Sequence, residues 1–540
     1  MWRTLPAFFV LTAAAQAQVN APPVGTRVVL KENAALRMNQ EVVNRAAALD
    51  SYRVEEVKDG WLRLSQVSGG RGGWTEAANV LTIDDAIVYL SKLLESKTNS
   101  DKKARARLFV QRAVAWRDKK EFDSAANDCD EAINLDPNLS AAYELRGKLW
   151  LIKKDQEEAL RDFSKAISLE PNNGAVFTAR AKLRVAKHQF TKAIGDLDEA
   201  IRIEPRNAWL YVDRGLAYHL KTEFDKAIGD FNQALKLDPN NVLAHLYRGL
   251  AWTKKKEFDN AIADLNEASR LDPKLVAARH YRGLAWLEKK EYDKAIAEFS
   301  EAITLDPGDA WAYSNRGYVL LTKKEYDKAI ADFDLAIRRD ATYAGAYHGR
   351  AHAHSIKKLF DKAIDDYSEV IRLNPRDDLA FYNRGLAWSQ KKNFDKAIAD
   401  FNRAIEIDRN DAATFDARGD AFVQKKEYEK AVIDYITATN LEPKDPAAYH
   451  ALAWLQATCP DETVRNGPNA VKSALKACEL SGPQDAFALG TLAAAYAENG
   501  NFEKAVEAQE KANGLYTDPD DKTKGEERLR LYRDNKAYHE

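Results

Sequence analysis

Residues 281–307 read YRGLAWLEKKEYDKAIAEFSEAITLDP, and residues 247–273 read YRGLAWTKKKEFDNAIADLNEASRLDP. The two stretches are nearly one text displaced by 34 positions. Proline falls at 137, 171, 205, 239, 273 and 307, then at 375 and 443, so that every gap is 34 or twice 34. Ala341 and Arg409 stand in frame at the two skipped places. A fixed period of this length marks stacked supersecondary units, each too small to bury its apolar face alone. With each proline set at place 32, ten repeats follow in frame; the first starts at Ala106 and the tenth at Ala412.

The places explain themselves physically. Place 8 is Gly or Ala throughout, as at Gly215, Gly249 and Gly283, and place 20 is always Ala, as at Ala227, Ala261 and Ala295. Small residues at both let two helix backbones approach closely. Place 4 is usually aromatic (Tyr143, Phe177, Tyr211), place 24 is usually Phe, Tyr or Leu (Phe163, Leu197, Phe231), and place 11 is often Trp or Tyr (Trp116, Trp150, Tyr218). These large faces hold a repeat to itself and to the next. The proline ends each second helix. Cys129 sits at place 24 of the first repeat and reads as a small core residue.

This spelling resembles the tetratricopeptide repeat family over residues 106–445. The resemblance implies a mainly α fold, a superhelical solenoid whose first helices line a concave groove for partner segments. Two departures stand out. Place 7, usually Leu in that family, is Arg in every repeat, and place 23 is always an acid. The antiparallel helices then predict a ladder of pairs such as Arg248–Asp264, Arg282–Glu298 and Arg316–Asp332, because the guanidinium fork can bond two acceptors. Place 14 is always Lys, and place 15 is Lys in eight repeats where the family often has Gly. The lysines offset the helix dipole at a helix C-terminus and also form a basic ridge.

Mapping the family's concave places 2, 5, 9, 12 and 13 onto this chain gives a candidate partner groove. It comprises Trp209, Val212, Leu216, His219, Leu246, Leu250, His280, Leu284, Trp311, Tyr318, His348, His352, Tyr382 and Leu386. An apolar, aromatic lining of this extent marks an interaction site or packs successive first helices, and the pattern leaves both open. Its few cations, chiefly Arg107, Lys182 and Lys254, argue against a clamp for a terminal carboxylate. His348 and His352 share a helix face at a metal-binding spacing, but no third ligand is evident and no metal or cofactor is assigned. Phosphate loop, nucleophile elbow and HExxH motif are all missing from the sequence, which argues against an enzyme. Charged residues make up 30% with a formal net charge of −2, a balance that argues against a nucleic-acid partner.

The two ends differ from the middle. Residues 1–17, MWRTLPAFFVLTAAAQA, combine one Arg, an apolar run and an A-x-A exit, the pattern of a secretory signal peptide, and predict a protein exported to the periplasm or beyond. Residues 25–83 read as short strands punctuated by glycines, and DGWLRLSQVSGGRGGWTEAANVL resembles a bacterial SH3-like domain. That resemblance implies a small β-barrel used at cell walls. Residues 84–105 are expected to give a lone helix and linker capping the first repeat, residues 446–518 two divergent repeats with extra residues around Cys459-Pro460-Asp461, and residues 519–540 a capping helix. Cys459 and Cys478 could pair, although spacing alone does not fix it. The layout resembles exported bacterial repeat proteins. The functional expectation is a non-enzymatic envelope scaffold binding protein or peptide segments, with a wall-associated adaptor, acting through the SH3-like domain and the Lys ridge, as the alternative.

Overall fold

The computed structural model describes strands within residues 27–76 and then residues 80–96 and 101–540. The signal-peptide segment, residues 1–17, lies outside the described residues. The fold is mainly α: 26 helices stand among the described residues, after seven short strands. The strands are β1 (Arg27–Leu30), β2 (Ala35–Met38), β3 (Glu41–Arg45), β4 (Tyr52–Lys58), β5 (Trp61–Gln66), β6 (Gly73–Glu76) and β7 (Val80–Thr82). They form one antiparallel sheet in the order β3-β2-β6-β5-β4-β1-β7. Among the described residues nothing pairs β3 with β7, so the expected barrel closure is not among the described pairings.

The chain divides into two compact bodies, Met1–Asp272 and Pro273–Glu540. Each is built from antiparallel helix pairs in sequence order. One repeat of the second body shows the logic. Its first helix, Ala310–Thr322, starts at Asp309, whose carboxylate accepts from the Trp311 and Ala312 backbone N–H groups. It ends with Lys324 at φ 63°, and the Glu325 N–H returns to the Leu320 carbonyl at 2.9 Å. The second helix, Tyr326–Arg339, buries Ala329, Asp332, Phe333 and Ala336.

Close packing within a pair depends on places 8 and 24. A Cβ on Gly215 would lie 2.6 Å from the Phe231 ring, and one on Gly317 would lie 2.9 Å from Phe333. Where place 8 is Ala113 or Ala181, place 24 carries the smaller Cys129 or Leu197, both fully buried. In these pairs the two places trade volume, as a core at crystal-like density demands, whereas Ala351 packs with the bulky Tyr367 and Gly249 faces the smaller Leu265.

The ends add detail. Helix Ile83–Ser96 buries Ala86, Ile87, Leu90 and Leu94. Ala115 and Leu108 of the first repeat pack against it. The first repeat's opening helix begins at Lys102 rather than Ala106, because Asp101 caps it by accepting from the Lys103 N–H. Near the other end, the extra residues form the connection between helices Pro446–Thr458 and Gly467–Ser481. Arg465 fastens that connection to the Cys459 carbonyl at 2.8 Å and to Glu498 at 3.2 Å. Cys459 and Cys478 are both free thiols and belong to separate core clusters.

Candidate partner-binding face

Most arginines at place 7 are fixed by three contacts. Arg248 donates through Nε to Asp264 Oδ2 at 2.7 Å and through a terminal nitrogen to Oδ1 at 2.5 Å. Arg316 and Asp332 repeat that fork at 2.8 Å for both bonds, and Arg282 donates to Glu298 Oε2 at 2.5 Å. The remaining guanidinium nitrogen reaches back to place 25 of the preceding repeat: Arg248 to Asn232, Arg316 to Ser300 at 3.0 Å, Arg350 to Asp334. Arg248, Arg316 and Arg350 therefore tie their own two helices together and also staple them to the previous repeat. Place 25 was not legible as an acceptor because its residue type changes among Asp, Asn and Ser; only the shared 16-residue offset unites them. At the start of the array Arg112 finds Ser91 of helix Ile83–Ser96 at 2.9 Å, so that helix supplies the missing preceding partner.

The place-14 lysines are mostly neutralised. Lys153 pairs with Asp123 at 2.5 Å, Lys187 with Glu157 at 2.6 Å and Lys425 with Asp395 at 2.6 Å, each 30 residues back. Several also lie over the place-11 indole, as Lys289 does over Trp286 at 5.6 Å.

The first-helix face differs in character along the chain. In the first body Trp209 is 53% exposed, while Val212 and Leu246 are 2% and 5% exposed and so pack inside. Leu216, Leu250 and His219 are half-buried. His219 lies edge-on to Phe224 at 5.3 Å, and burial holds its imidazole below the usual range, with Lys254 adding to the effect. Lys182 pairs with Asp213 at 3.2 Å. In the second body the buried His280 contacts the Trp311 ring at 4.2 Å and Asp309 at 2.9 Å. Tyr318 donates its hydroxyl to the Gly345 carbonyl of the next first helix at 2.8 Å. His348 packs edge-on against Tyr367 at 5.6 Å, whereas His352 is exposed. Leu284, Tyr382 and Leu386 are half-buried. Val212, Leu246 and His280 thus support the wall, and Trp209, Trp311, His352 and Tyr382 supply surface. Among the described residues no group of three or more His, Cys, Asp or Glu is placed to hold a metal.

Residues that the sequence reading passed over continue this face in the second body. Asp416 and Asp420 occupy places 5 and 9 of the tenth repeat. Burial, then the neighbouring Asp420 and Asp445, push the Asp416 carboxyl up to about 7. Tyr435 donates to Asp420 at 2.7 Å. In the next repeat the same places are His450 and Trp454, stacked at 6.5 Å and 21°. Carrying the same places on past the ninth repeat finds them, since all four residues precede the insertion around Cys459.

Tetratricopeptide repeat family models match residues 178–241, 221–276, 312–343, 344–377, 379–411 and 488–519, and a TPR repeat model matches 283–324 and 419–457. Together they span more than half of the chain. The chain belongs to the tetratricopeptide repeat family. That fold is a protein–protein interaction scaffold and in general non-catalytic. A search of the curated proteins returns no match. Among solved structures, a tetratricopeptide repeat protein from Parabacteroides merdae is 19% identical, covering 46% of this chain and 98% of that one at a TM-score of 0.41. Yeast Tom70 is 17% identical, covering 80% and 96% at 0.34. YrrB, described as a TPR protein with an unusual peptide-binding site, is 21% identical, covering 36% and 97% at 0.30. At these TM-scores the likenesses bear no weight for the function of this repeat protein. No helix among the described residues is long and apolar enough to cross a membrane.

Proposed function

We propose that this chain is an exported, non-enzymatic scaffold of the cell envelope that binds extended or helical partner segments along its first-helix face. The observation that carries the reading is Trp209, 53% exposed at place 2 with no ring partner among the described contacts. Indole area left in water on a regular surface is costly unless a partner covers it. Export is supported by the pattern of residues 1–17.

The test is site-specific photo-crosslinking on the full chain in its native envelope. Probes at Trp209 and Trp311 should capture a partner segment, while probes at Glu199 and Glu301 on second helices should not. Trp209→Ala with Trp311→Ala should then lower capture about tenfold, as loss of hot-spot side chains does. Crosslinks concentrated on the second helices would sink the proposal.

A second reading, a wall-associated adaptor, is favoured by one observation. Lys290, Lys324, Lys358, Lys392 and Lys426 are exposed in five successive repeats, and among the described residues none makes an ion pair. The SH3-like segment belongs to this reading. Cosedimentation with anionic wall polymer that survives high salt would remove the electrostatic basis.

A further inference from the structure

The second body holds a cavity of about 300 Å³ lined by residues of helices Pro446–Thr458, Ala486–Glu498 and Pro519–Arg533. Its core is Trp454. The Arg528 guanidinium carbon stands 5.4 Å from the centre of that indole, and the half-buried His450 stacks on it from within the same helix. His450 Nδ1 is tied to Thr491 Oγ1 at 2.7 Å. Phe487, 57% exposed, guards the rim edge-on to Tyr516 at 5.7 Å. Lys524 adds a second cation to the lining. The lining also holds the Asp521 carboxylate, but its rings and its two cations together suit an aromatic side chain beside a carboxylate.

Such a pair already forms part of the wall, as Tyr538 and Glu540. Asn535, at φ 55°, turns the chain back after helix Pro519–Arg533. Tyr538 then lies 6.2 Å from Trp454, and Glu540 Oε1 accepts from Trp454 Nε1 at 3.0 Å. The Glu540 N–H donates to the Thr458 carbonyl at 2.8 Å, and His539 reaches Glu498 at 2.8 Å. The hold is light: residues 534–536, 539 and 540 are exposed, and Tyr538 is only half-buried. Ala537 and Tyr538 pack on the Ala493 and Tyr532 cluster, but the exposed remainder makes opening of this terminal segment a local event.

We propose that this cavity, together with the place on its wall now held by Tyr538 and Glu540, is a binding site for a partner segment carrying an aromatic residue followed two positions later by an acid, and that Tyr538-His539-Glu540 covers that place in cis as a displaceable pseudo-ligand. The proposal rests on the first-helix face being the binding surface and names the ligand chemistry at one end of it. A tethered competitor acts at an effective concentration of about 1 mM, so a segment whose own Kd is about 0.1 mM masks the site about tenfold.

The experiment titrates a fluorescein-labelled, C-terminally amidated peptide of residues 534–540 into the full chain, read by anisotropy. The Tyr538→Ala/Glu540→Gln chain should bind it about tenfold more tightly than the unaltered chain. Arg528→Gln or Trp454→Phe in that background should abolish binding, and a peptide with Gln at the Glu540 place should bind at least about fivefold more weakly. Equal affinity for the masked and unmasked chains, or binding indifferent to Arg528, overturns the proposal. Should the double variant not fold, Glu540→Gln alone keeps the Tyr538 packing and must still unmask the site. In the unaltered chain, excess peptide must also speed amide exchange at residues 536–540. Failure here, with partner capture still dependent on Trp209 and Trp311, would leave the scaffold reading standing; loss of both would end both.

Discussion

Gly215 and Gly229 lie in the same repeat, one on each helix, and the same substitution should move them in opposite directions. At Gly229 a new Cβ meets nothing within 4 Å, so Gly229→Ala gains only the helix propensity, about 1 kcal/mol. At Gly215 the Cβ would lie 2.6 Å from Phe231 Cε1, 2.9 Å from Cδ1 and 3.0 Å from Cζ. Phe231 is fully buried, so the ring cannot swing into solvent. Overpacking a tight site costs about 1–3 kcal/mol. Net of the propensity gain, Gly215→Ala should lose about 1 kcal/mol, leaving a gap of about 2 kcal/mol between the two variants. Because repeat arrays open locally, hydrogen exchange of helices Ala208–Leu220 and Phe224–Leu237 is the appropriate readout, not one global midpoint. Phe231→Leu should then soften the penalty, giving a coupling of about 1 kcal/mol in a double-mutant cycle. If both glycine variants shift the same way by the same amount, the volume exchange between places 8 and 24 is not what sets the helix approach.

Three further outcomes follow from the same geometry. Arg384→Ala strands the buried Asp400 carboxylate, which now accepts two bonds at 2.8 and 2.7 Å, and should cost about 3 kcal/mol; Arg384→Ala with Asp400→Ala should cost clearly less than the sum of the singles, as measured by exchange in those repeats. Lys290 holds φ at 61°, a region that penalises side chains, so Lys290→Gly should stabilise its repeat by about 1 kcal/mol, read by hydrogen exchange in that repeat. Asp416 is raised to about 7 by burial, then by Asp420 and Asp445, while its unfolded carboxyl titrates near 4. Between those values the folded state binds the extra proton, so stability falls as pH rises from about 4 to about 7. Asp416→Asn should flatten that slope and raise stability at pH 8, and an unchanged melting profile across that range would refute the assignment.

The repeat was readable because each place in a 34-residue period has one dominant physical duty. Ala295 must be small, Phe299 must fill, and Arg282 must meet an acid 16 residues on; ten-fold repetition averages away exceptions such as Ala341 and Arg409 at the proline place. The strands of residues 27–76 occur once, without repetition to reinforce their register, and there the reading reached only a resemblance. The lysine ridge shows the limit of place-by-place reading. Lys153 looks like surplus charge until its partner Asp123, in the preceding second helix, is brought beside it by stacking.

The binding face is hardest to read for a physical reason. Core places are constrained by neighbours within the chain, so repetition reports on them; face places have fewer such neighbours, and they vary. Places 5 and 9 carry Val212 and Leu216 in one repeat, Asp416 and Asp420 in another, then His450 and Trp454. That change from apolar to acidic to aromatic is wasted on packing, since Ala and Leu would stack as well. Under the proposed scaffold function, that change suits a ligand whose own chemistry changes along its length. A uniform scaffold bearing a non-uniform face can select one partner by summing weak local matches, and a single altered place should then shift affinity for one segment while leaving the stability of the stack unchanged.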